Sequence, residues 1–181
     1  MSAAKILLTA DKFDNYPFEE DKRYELDEGE LIEMPKPAYK HNRALMHLTV
    51  AVGVFLNATK LGEALNSENL FAISARTRLA PDLAIFVPER SEELRNATVI
   101  PLIPEIVVEI QSPSDQHRRL SRKLKQYFDA GVKEVWVLDP ATATGEIWTA
   151  PSLTFRELAT TDSLTSPLLP GFSLPLTDLF S

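Results

Sequence analysis

Apolar residues recur at helical spacing in two parts of the chain. Between residues 41 and 61 they return every three or four positions, which predicts an amphipathic helix that stops at Gly62. Residues 114–130 show the same spacing, with N-terminal helix signals at residues 112–115 and Gly131 as the stop. The apolar stripe expected on this second helix consists of Leu120, Leu124, Tyr127 and Phe128.

Shorter apolar runs, bounded by polar or turn-forming residues, predict strands. Residues 24–34 predict a hairpin, because two short runs flank the turn-forming sequence at residues 27–30. Further strands are predicted at residues 70–75, 83–87, 105–110 and 135–138, and an antiparallel pair is predicted at residues 146–149 and 154–158.

The order of these elements predicts the fold class. A strand at 106–110, the helix at 114–130 and a strand at 135–138 make a βαβ unit, which favours parallel pairing. The earlier hairpins favour antiparallel pairing. We therefore expect an α/β (α+β) protein with a mixed β-sheet flanked by helices.

The length and apolar content indicate one domain. With 181 residues, of which 44% are hydrophobic, the chain can build one sizeable core. Residues 1–23 are expected to form an N-terminal extension, and residues 160–181, rich in Leu, Pro and Phe, to pack back on the core. No apolar run is long enough to cross a bilayer. The absence of cysteine excludes disulfides and thiolate metal sites, so a cytoplasmic location is expected.

Charge is distributed unevenly. The net charge of −7 argues mildly against nonspecific coating of nucleic acid. Acidic residues crowd positions 11–33, whereas basic residues crowd the second predicted helix. That helix has two interpretations, a phosphate-binding surface or an ordinary solvated face. The basic residues considered for phosphate contact are Arg118, Arg119, Arg122 and Lys125.

Two acids sit on otherwise apolar strands. Asp82 opens one strand, and Glu109 lies near the end of another, on the same face as Gln111. A carboxylate in such a place is costly unless it is paired, hydrogen-bonded or bound to metal. Two converging carboxylates would suit Mg²⁺, while a strand-capping role for Asp82 stays open. Lys123, four residues before Tyr127 on the second helix, could reach the end of the strand with Glu109.

Ordered short motifs across nearly the whole chain resemble the Uma-type family of putative restriction endonucleases, within the PD-(D/E)XK nuclease-like superfamily. The matching motifs are Tyr24-Glu25-Leu26, Gly29-Glu30-Leu31, His41, Pro81-Asp82, Val108-Glu109-Ile110, Ser112-Pro113-Ser114, Lys123-Leu124, Tyr127, Ala130-Gly131-Val132, Val135-Trp136-Val137-Leu138-Asp139-Pro140 and Pro167-Leu168-Leu169-Pro170-Gly171-Phe172.

The resemblance implies a restriction-endonuclease-like core and Mg²⁺-dependent cleavage of DNA, with Mn²⁺ as a possible substitute. Asp82 and Glu109 match the two acids of the motif, and Lys123 matches the helix lysine. Glu25 matches a family acid that could be a further metal ligand or a neighbour of one. Gln111 stands where the full superfamily motif has lysine, which leaves catalytic activity open.

Three functions remain open at this point. The first is a metal-dependent endonuclease, in which His41 is expected to contact the nucleic acid and could orient the substrate or a carboxylate. The second is a catalytically silent nucleic-acid-binding or assembly module, motivated by Gln111 and the acidic composition. The third is a phosphoesterase that acts on small substrates with the same acids. By analogy with nucleases that cut both strands, a homodimer is expected.

Overall fold

The computed structural model describes residues 7–94, 96–112 and 117–181. The helix start predicted at residues 112–115 therefore lies largely outside the described residues, as do the side chains of Ser91, His117 and Arg118. Within the described residues the chain forms the following helices and strands: α1 (Ala10–Asp14), β1 (Tyr24–Asp27), β2 (Glu30–Glu33), α2 (Tyr39–Thr59), β3 (Glu63–Asn66), β4 (Leu70–Ser74), β5 (Thr77–Leu79), β6 (Leu83–Phe86), α3 (Ser91–Leu94), β7 (Val99–Ile100), β8 (Ile106–Ile110), α4 (His117–Ala130), β9 (Glu134–Asp139), β10 (Thr144–Thr149), β11 (Thr154–Leu158), β12 (Ser163–Leu164), β13 (Leu174–Pro175) and α5 (Leu176–Leu179).

Two mixed sheets carry most of the strands. The larger has the order β11-β10-β9-β8-β6-β3, and the smaller has the order β2-β1-β5-β4-β7. In the larger sheet β8 and β9 are parallel and joined through α4, which confirms the predicted βαβ unit. The neighbours β6 and β8 are antiparallel, as are β10 and β11. The mixed, helix-flanked fold predicted from the sequence is thus confirmed.

The central strand β8 separates two apolar clusters. Its residues Ile106, Val108 and Ile110 face a cluster that includes α2 and the C-terminal apolar residues. Val107 faces the other way, toward the cluster formed with α4. Because side chains alternate along a strand, Glu109 shares the α4 face with Val107. The sheet therefore presents Glu109 to the helix that carries Lys123.

Helix α2 differs from the prediction at both ends. It begins at Tyr39 and ends at Thr59, where Lys60 adopts a left-handed conformation and donates its N–H to the carbonyl of Leu56. Gly62 is therefore not the helix stop. A Cβ built at Gly62 would lie 2.0 Å from the carbonyl oxygen of Phe86, so glycine allows β3 to approach β6. Among the described residues, no helix is long and apolar enough to cross a membrane.

Substituting Gly62 by alanine is expected to lower the free energy of unfolding by roughly 2 kcal/mol or more, because the backbone at Phe86 has to move. Gly53 supplies the matched control. A Cβ there meets nothing within 4 Å, so Gly53→Ala in α2 is expected to stabilise the protein by about 0.5–1 kcal/mol. Urea unfolding of both variants measures the difference, and equal effects would contradict the assigned packing.

Candidate active site

Strand register brings the two acids singled out in the sequence together. Strands β6 and β8 pair antiparallel, with Leu83 opposite Val108. One residue further along this pairing, Asp82 comes beside Glu109, on the face of the sheet that α4 covers. Asp82 and Glu109 line the same cleft. The juxtaposition thus follows from the pairing of two strands that are distant in sequence.

Two hydrogen-bond donors hold the carboxylate of Asp82. Its Oδ2 accepts the backbone N–H of Ile110 at 2.7 Å. Its Oδ1 lies 3.1 Å from Nε2 of His41, which comes from the first turn of α2. The Asp82 side chain is 16% exposed, so part of it still reaches the cleft. His41, predicted to contact nucleic acid, is largely buried and is placed to orient Asp82.

Helix α4 supplies two donors to Glu109. The Nζ of Lys123 lies 3.1 Å from Oε1 and 3.2 Å from Oε2 of the carboxylate. The hydroxyl of Tyr127 donates to Oε1 at 2.6 Å. Lys123 and Tyr127 are one helical turn apart, so both side chains point to the same strand end. The structure therefore brings Lys123 to Glu109 from the neighbouring helix.

Glu25 lies behind Lys123 and is completely buried. Its Oε1 accepts from Nζ of Lys123 at 3.0 Å and from the backbone N–H of Ala80 at 3.0 Å. Its Oε2 accepts from the guanidinium of Arg119. Both carboxylate oxygens are thus bound to cations. In this arrangement Glu25 positions Lys123, and its predicted role as a further metal ligand stays a prediction.

Protonation in this cluster is governed by burial and by neighbouring charge. Burial, together with the charges of Asp82 and Glu25, raises the pKa of Glu109 to about 7 against the opposing effect of Lys123. Burial lowers the pKa of Lys123, but the carboxylates of Glu109 and Glu25 outweigh it and raise that pKa above its ordinary value. Burial and Glu109 raise the pKa of Tyr127. Near neutral pH, Lys123 is therefore charged, Tyr127 is a hydroxyl donor, and Glu109 is the group that changes charge.

Gln111 extends β8 by one pairing position. Its backbone N–H donates to the carbonyl of Leu138 at 2.7 Å, and the residue lines the cleft with Asp82, Glu109 and Lys123. Its amide can donate and accept hydrogen bonds but carries no charge. The cation that the cleft contains next to Glu109 therefore comes from α4.

The donor set fits a hard divalent cation. Asp82 and Glu109 offer carboxylate oxygens at one cleft, and their mutual repulsion is one cause of the raised pKa of Glu109. Within residues 7–94, 96–112 and 117–181, no group of three or more His, Asp or Glu side chains could enclose a metal. Mg²⁺ needs no such enclosure, since proteins usually hold it through one or two carboxylates, waters and substrate phosphates.

The basic side chains predicted to contact phosphates are mostly engaged within the protein. Arg119 binds Glu25, and Nη1 of Arg122 lies 3.0 Å from Oδ2 of Asp27. Lys125 pairs with Asp129, one turn along α4. The side chain of Arg118 lies outside the described residues.

The acidic N-terminal segment and the basic helix therefore meet at an internal interface between β1 and α4. Its polar members also include Gln126, whose Nε2 donates to Oδ1 of Asp27 at 2.7 Å. The sequence carried a signal for this pairing. Residues 119, 122, 123 and 126 fall on one helical face, and residues 25 and 27 fall on one face of a strand.

Comparisons with known proteins agree with this fold. The model of the family Uma2, described as "Putative restriction endonuclease", matches residues 10–177. No curated protein sequence matches the chain significantly. A crystal structure of a putative nuclease belonging to DUF820 from Anabaena variabilis superimposes with a TM-score of 0.81 and 21% sequence identity, over 96% of this chain and 97% of that chain. At that identity, the likeness to the crystal structure concerns the fold.

Proposed function

Because the chain belongs to the Uma2 family of putative restriction endonucleases, we propose that it is a Mg²⁺-dependent endonuclease that hydrolyses DNA phosphodiester bonds. The observation that supports this most strongly is the meeting of Asp82, Glu109 and Lys123 at one cleft. Asp82 immediately precedes β6, Glu109 lies on β8 and Lys123 lies on α4. A purely structural ion pair would not need the second acid.

Each residue of the cluster has a proposed role. Asp82 and Glu109 hold the cation, and Tyr127 keeps the carboxylate of Glu109 in place. A bound Mg²⁺ would supply positive charge at the scissile phosphate and lower the pKa of the attacking water. Lys123, charged near neutral pH, stabilises the negative charge that develops on the phosphate oxygens. Gln111 donates its amide hydrogens to the same phosphate or to the water.

Cleavage of a supercoiled plasmid tests the proposal. The chain is incubated with the plasmid in Mg²⁺, in Mn²⁺ and in EDTA, with bis(p-nitrophenyl) phosphate as a second substrate. We expect nicked and linear DNA with either metal and none in EDTA. Linear product without accumulation of nicked circles would indicate that two copies act together. Hydrolysis of the small diester without cleavage of the plasmid would mean that the substrate is a small phosphodiester and not DNA.

Gln111 favours a second candidate function, a catalytically silent module that binds nucleic acid or assembles with other chains. The internal pairing of Arg119 and Arg122 supports the assembly role within this alternative, because it leaves these cations less available to DNA. A wild-type chain that cleaves under neither metal would favour this function. Cleavage gained by Gln111→Lys from such an inactive parent would identify the chain as a degenerate nuclease.

The metal-free protein is expected to lose stability as pH rises from about 4.5 to about 7, through Glu109. Its carboxyl has a raised pKa in the folded chain, so the folded state binds more protons than the unfolded state in this window. The destabilisation caused by the ionised Glu109 carboxylate is fully present above pH 7 and is on the order of 3 kcal/mol. Glu109→Gln removes this pH dependence, because the amide does not titrate.

Urea unfolding in EDTA at pH 5 and pH 8 measures this effect. The stability of wild type relative to the variant is expected to fall between pH 5 and pH 8, on top of the pH-independent cost to the variant of losing the ion pair with Lys123. A stability difference that stays the same at both pH values would contradict the assignment. Glu157→Gln, an exposed glutamate on β11, provides the matched control.

A further inference from the structure

One rim of the cleft is formed by a stretch of chain without acidic residues. Residues 34–62 contain no aspartate or glutamate, although the chain as a whole has a net charge of −7. The first part of this stretch, residues 34–40, runs along the cleft, because Pro35 and Pro37 line it and His41 follows directly. We call residues 34–40 the rim segment. Its two charged residues are Lys36 and Lys40.

Both lysines of the rim segment are available to a ligand. Lys36 and Lys40 are exposed. In the part of the chain that the structure describes, neither forms an ion pair with a carboxylate. The basic side chains of α4 behave differently, since Arg122 binds Asp27 and Lys125 binds Asp129. Arg23, Arg119 and Lys123, which line the cleft itself, each pair with a carboxylate. Among the described residues at the cleft, the positive charge without a carboxylate partner therefore lies on the rim segment.

Tyr39 adds an aromatic surface between these charges. The residue is 75% exposed, the largest fraction among the large hydrophobic residues that the structure describes. Lys40 follows it at the start of α2, and His41, which contacts Asp82, comes next. Pro35 and Pro37 restrict the backbone here, so less conformational freedom is lost when the segment binds. Proteins typically bind single-stranded or unstacked nucleic acid through cationic side chains next to an exposed aromatic ring.

We propose that the rim segment, rather than helix α4, binds the DNA strand that enters the cleft. Lys36 and Lys40 contact phosphates that flank the scissile bond, and the ring of Tyr39 stacks on a base. The acidic remainder of the surface repels phosphate, so the field of the protein orients the DNA toward this rim. This inference rests on the proposed function and assigns its DNA-binding surface.

DNA binding measured against salt concentration tests the inference. The probes are a fluorescein-labelled DNA duplex of about 20 base pairs, roughly two helical turns, and the same strand alone. The wild-type chain is held in EDTA so that no cleavage accompanies binding. We compare Lys36→Ala, Lys40→Ala and their combination with Lys60→Ala. Lys60 is an exposed lysine at the other end of α2, about 30 Å along the helix from Lys40. Lys125→Ala tests α4.

Each rim lysine removed is expected to weaken duplex binding roughly tenfold at about 50 mM salt. The double variant is expected to lower the slope of log affinity against log salt by about 1.8, since each phosphate contact contributes about 0.9. Tyr39→Ala is expected to weaken binding of the single strand roughly tenfold. Lys60→Ala and Lys125→Ala are expected to change affinity less than twofold.

Four results would overturn the inference. Equal losses with Lys40→Ala and Lys60→Ala would mean that only net charge matters. A larger loss with Lys125→Ala would move the surface to α4. A double variant that binds like wild type, while the wild type cleaves plasmid, would reject the rim segment and leave the nuclease intact. A wild-type chain that neither binds nor cleaves DNA would reject both proposals.

Discussion

Asparagine in place of Asp82 is expected to lower the rate of plasmid cleavage by roughly 10³-fold or more. The substitution removes one of the two carboxylates that would hold the cation, and a bound metal contributes several kcal/mol to such a reaction. The fold should persist. The amide oxygen of the substituted side chain can still accept the N–H of Ile110, which Asp82 accepts at 2.7 Å in wild type. Cleavage is measured in Mg²⁺, and thermal unfolding in EDTA.

Asp129→Asn is the matched control for this substitution. It removes the same charge from an exposed position on α4 and is expected to leave cleavage unchanged. Equal cleavage by wild type and Asp82→Asn would contradict the proposed metal centre. It would also point to a contaminating nuclease, because both proteins are purified by the same procedure.

Methionine in place of Lys123 is expected to cost both activity and stability. The ammonium is buried against Glu25 and Glu109, so its removal leaves two carboxylates with less compensating charge. Breaking a buried ion pair in this way costs roughly 3–5 kcal/mol. Cleavage is expected to fall roughly 10²-fold or more through loss of charge stabilisation at the phosphate. Urea unfolding and plasmid cleavage measure the two effects.

A second substitution separates the two effects. In the background of Lys123→Met, the change Glu25→Gln removes the charge of the buried carboxylate that has lost one of its two cationic partners, while the amide oxygen can still accept from Arg119. We expect it to restore part of the stability and none of the activity, which a double-mutant cycle quantifies. Recovery of cleavage together with stability would mean that Lys123 has only a structural role.

Long periodic segments were predictable from the sequence. The helices at α2 and α4 and the parallel β8–β9 pair follow from apolar spacing and from the length of the crossover. Strand β5 was not predictable, since it has three residues and its buried Arg78 is balanced by Asp14 from α1. Such a strand forms because distant residues compensate its charge, and the local sequence gives no indication of that pairing.

The residues that meet at the candidate active site were predictable to a similar degree. Costly carboxylates on apolar strands pointed to Asp82 and Glu109, and helical spacing pointed to Lys123 and Tyr127. It was harder to predict that the basic side chains of α4 pair with acids inside the protein, because a run of basic residues usually forms a solvated face. The proposed role of Lys36 and Lys40 could not be predicted from the sequence. It rests on the cleft next to them and on the absence of internal carboxylate partners among the described residues.

Anomalous diffraction from crystals soaked in Mn²⁺ tests the central claim most directly, namely that Asp82 and Glu109 form a metal centre. We predict a peak within about 2.0–2.5 Å of a carboxylate oxygen of each residue, the range of hard-cation oxygen contacts. The peak should vanish in crystals of Asp82→Asn. A peak elsewhere in the molecule, or none between these carboxylates at saturating Mn²⁺, would contradict the account.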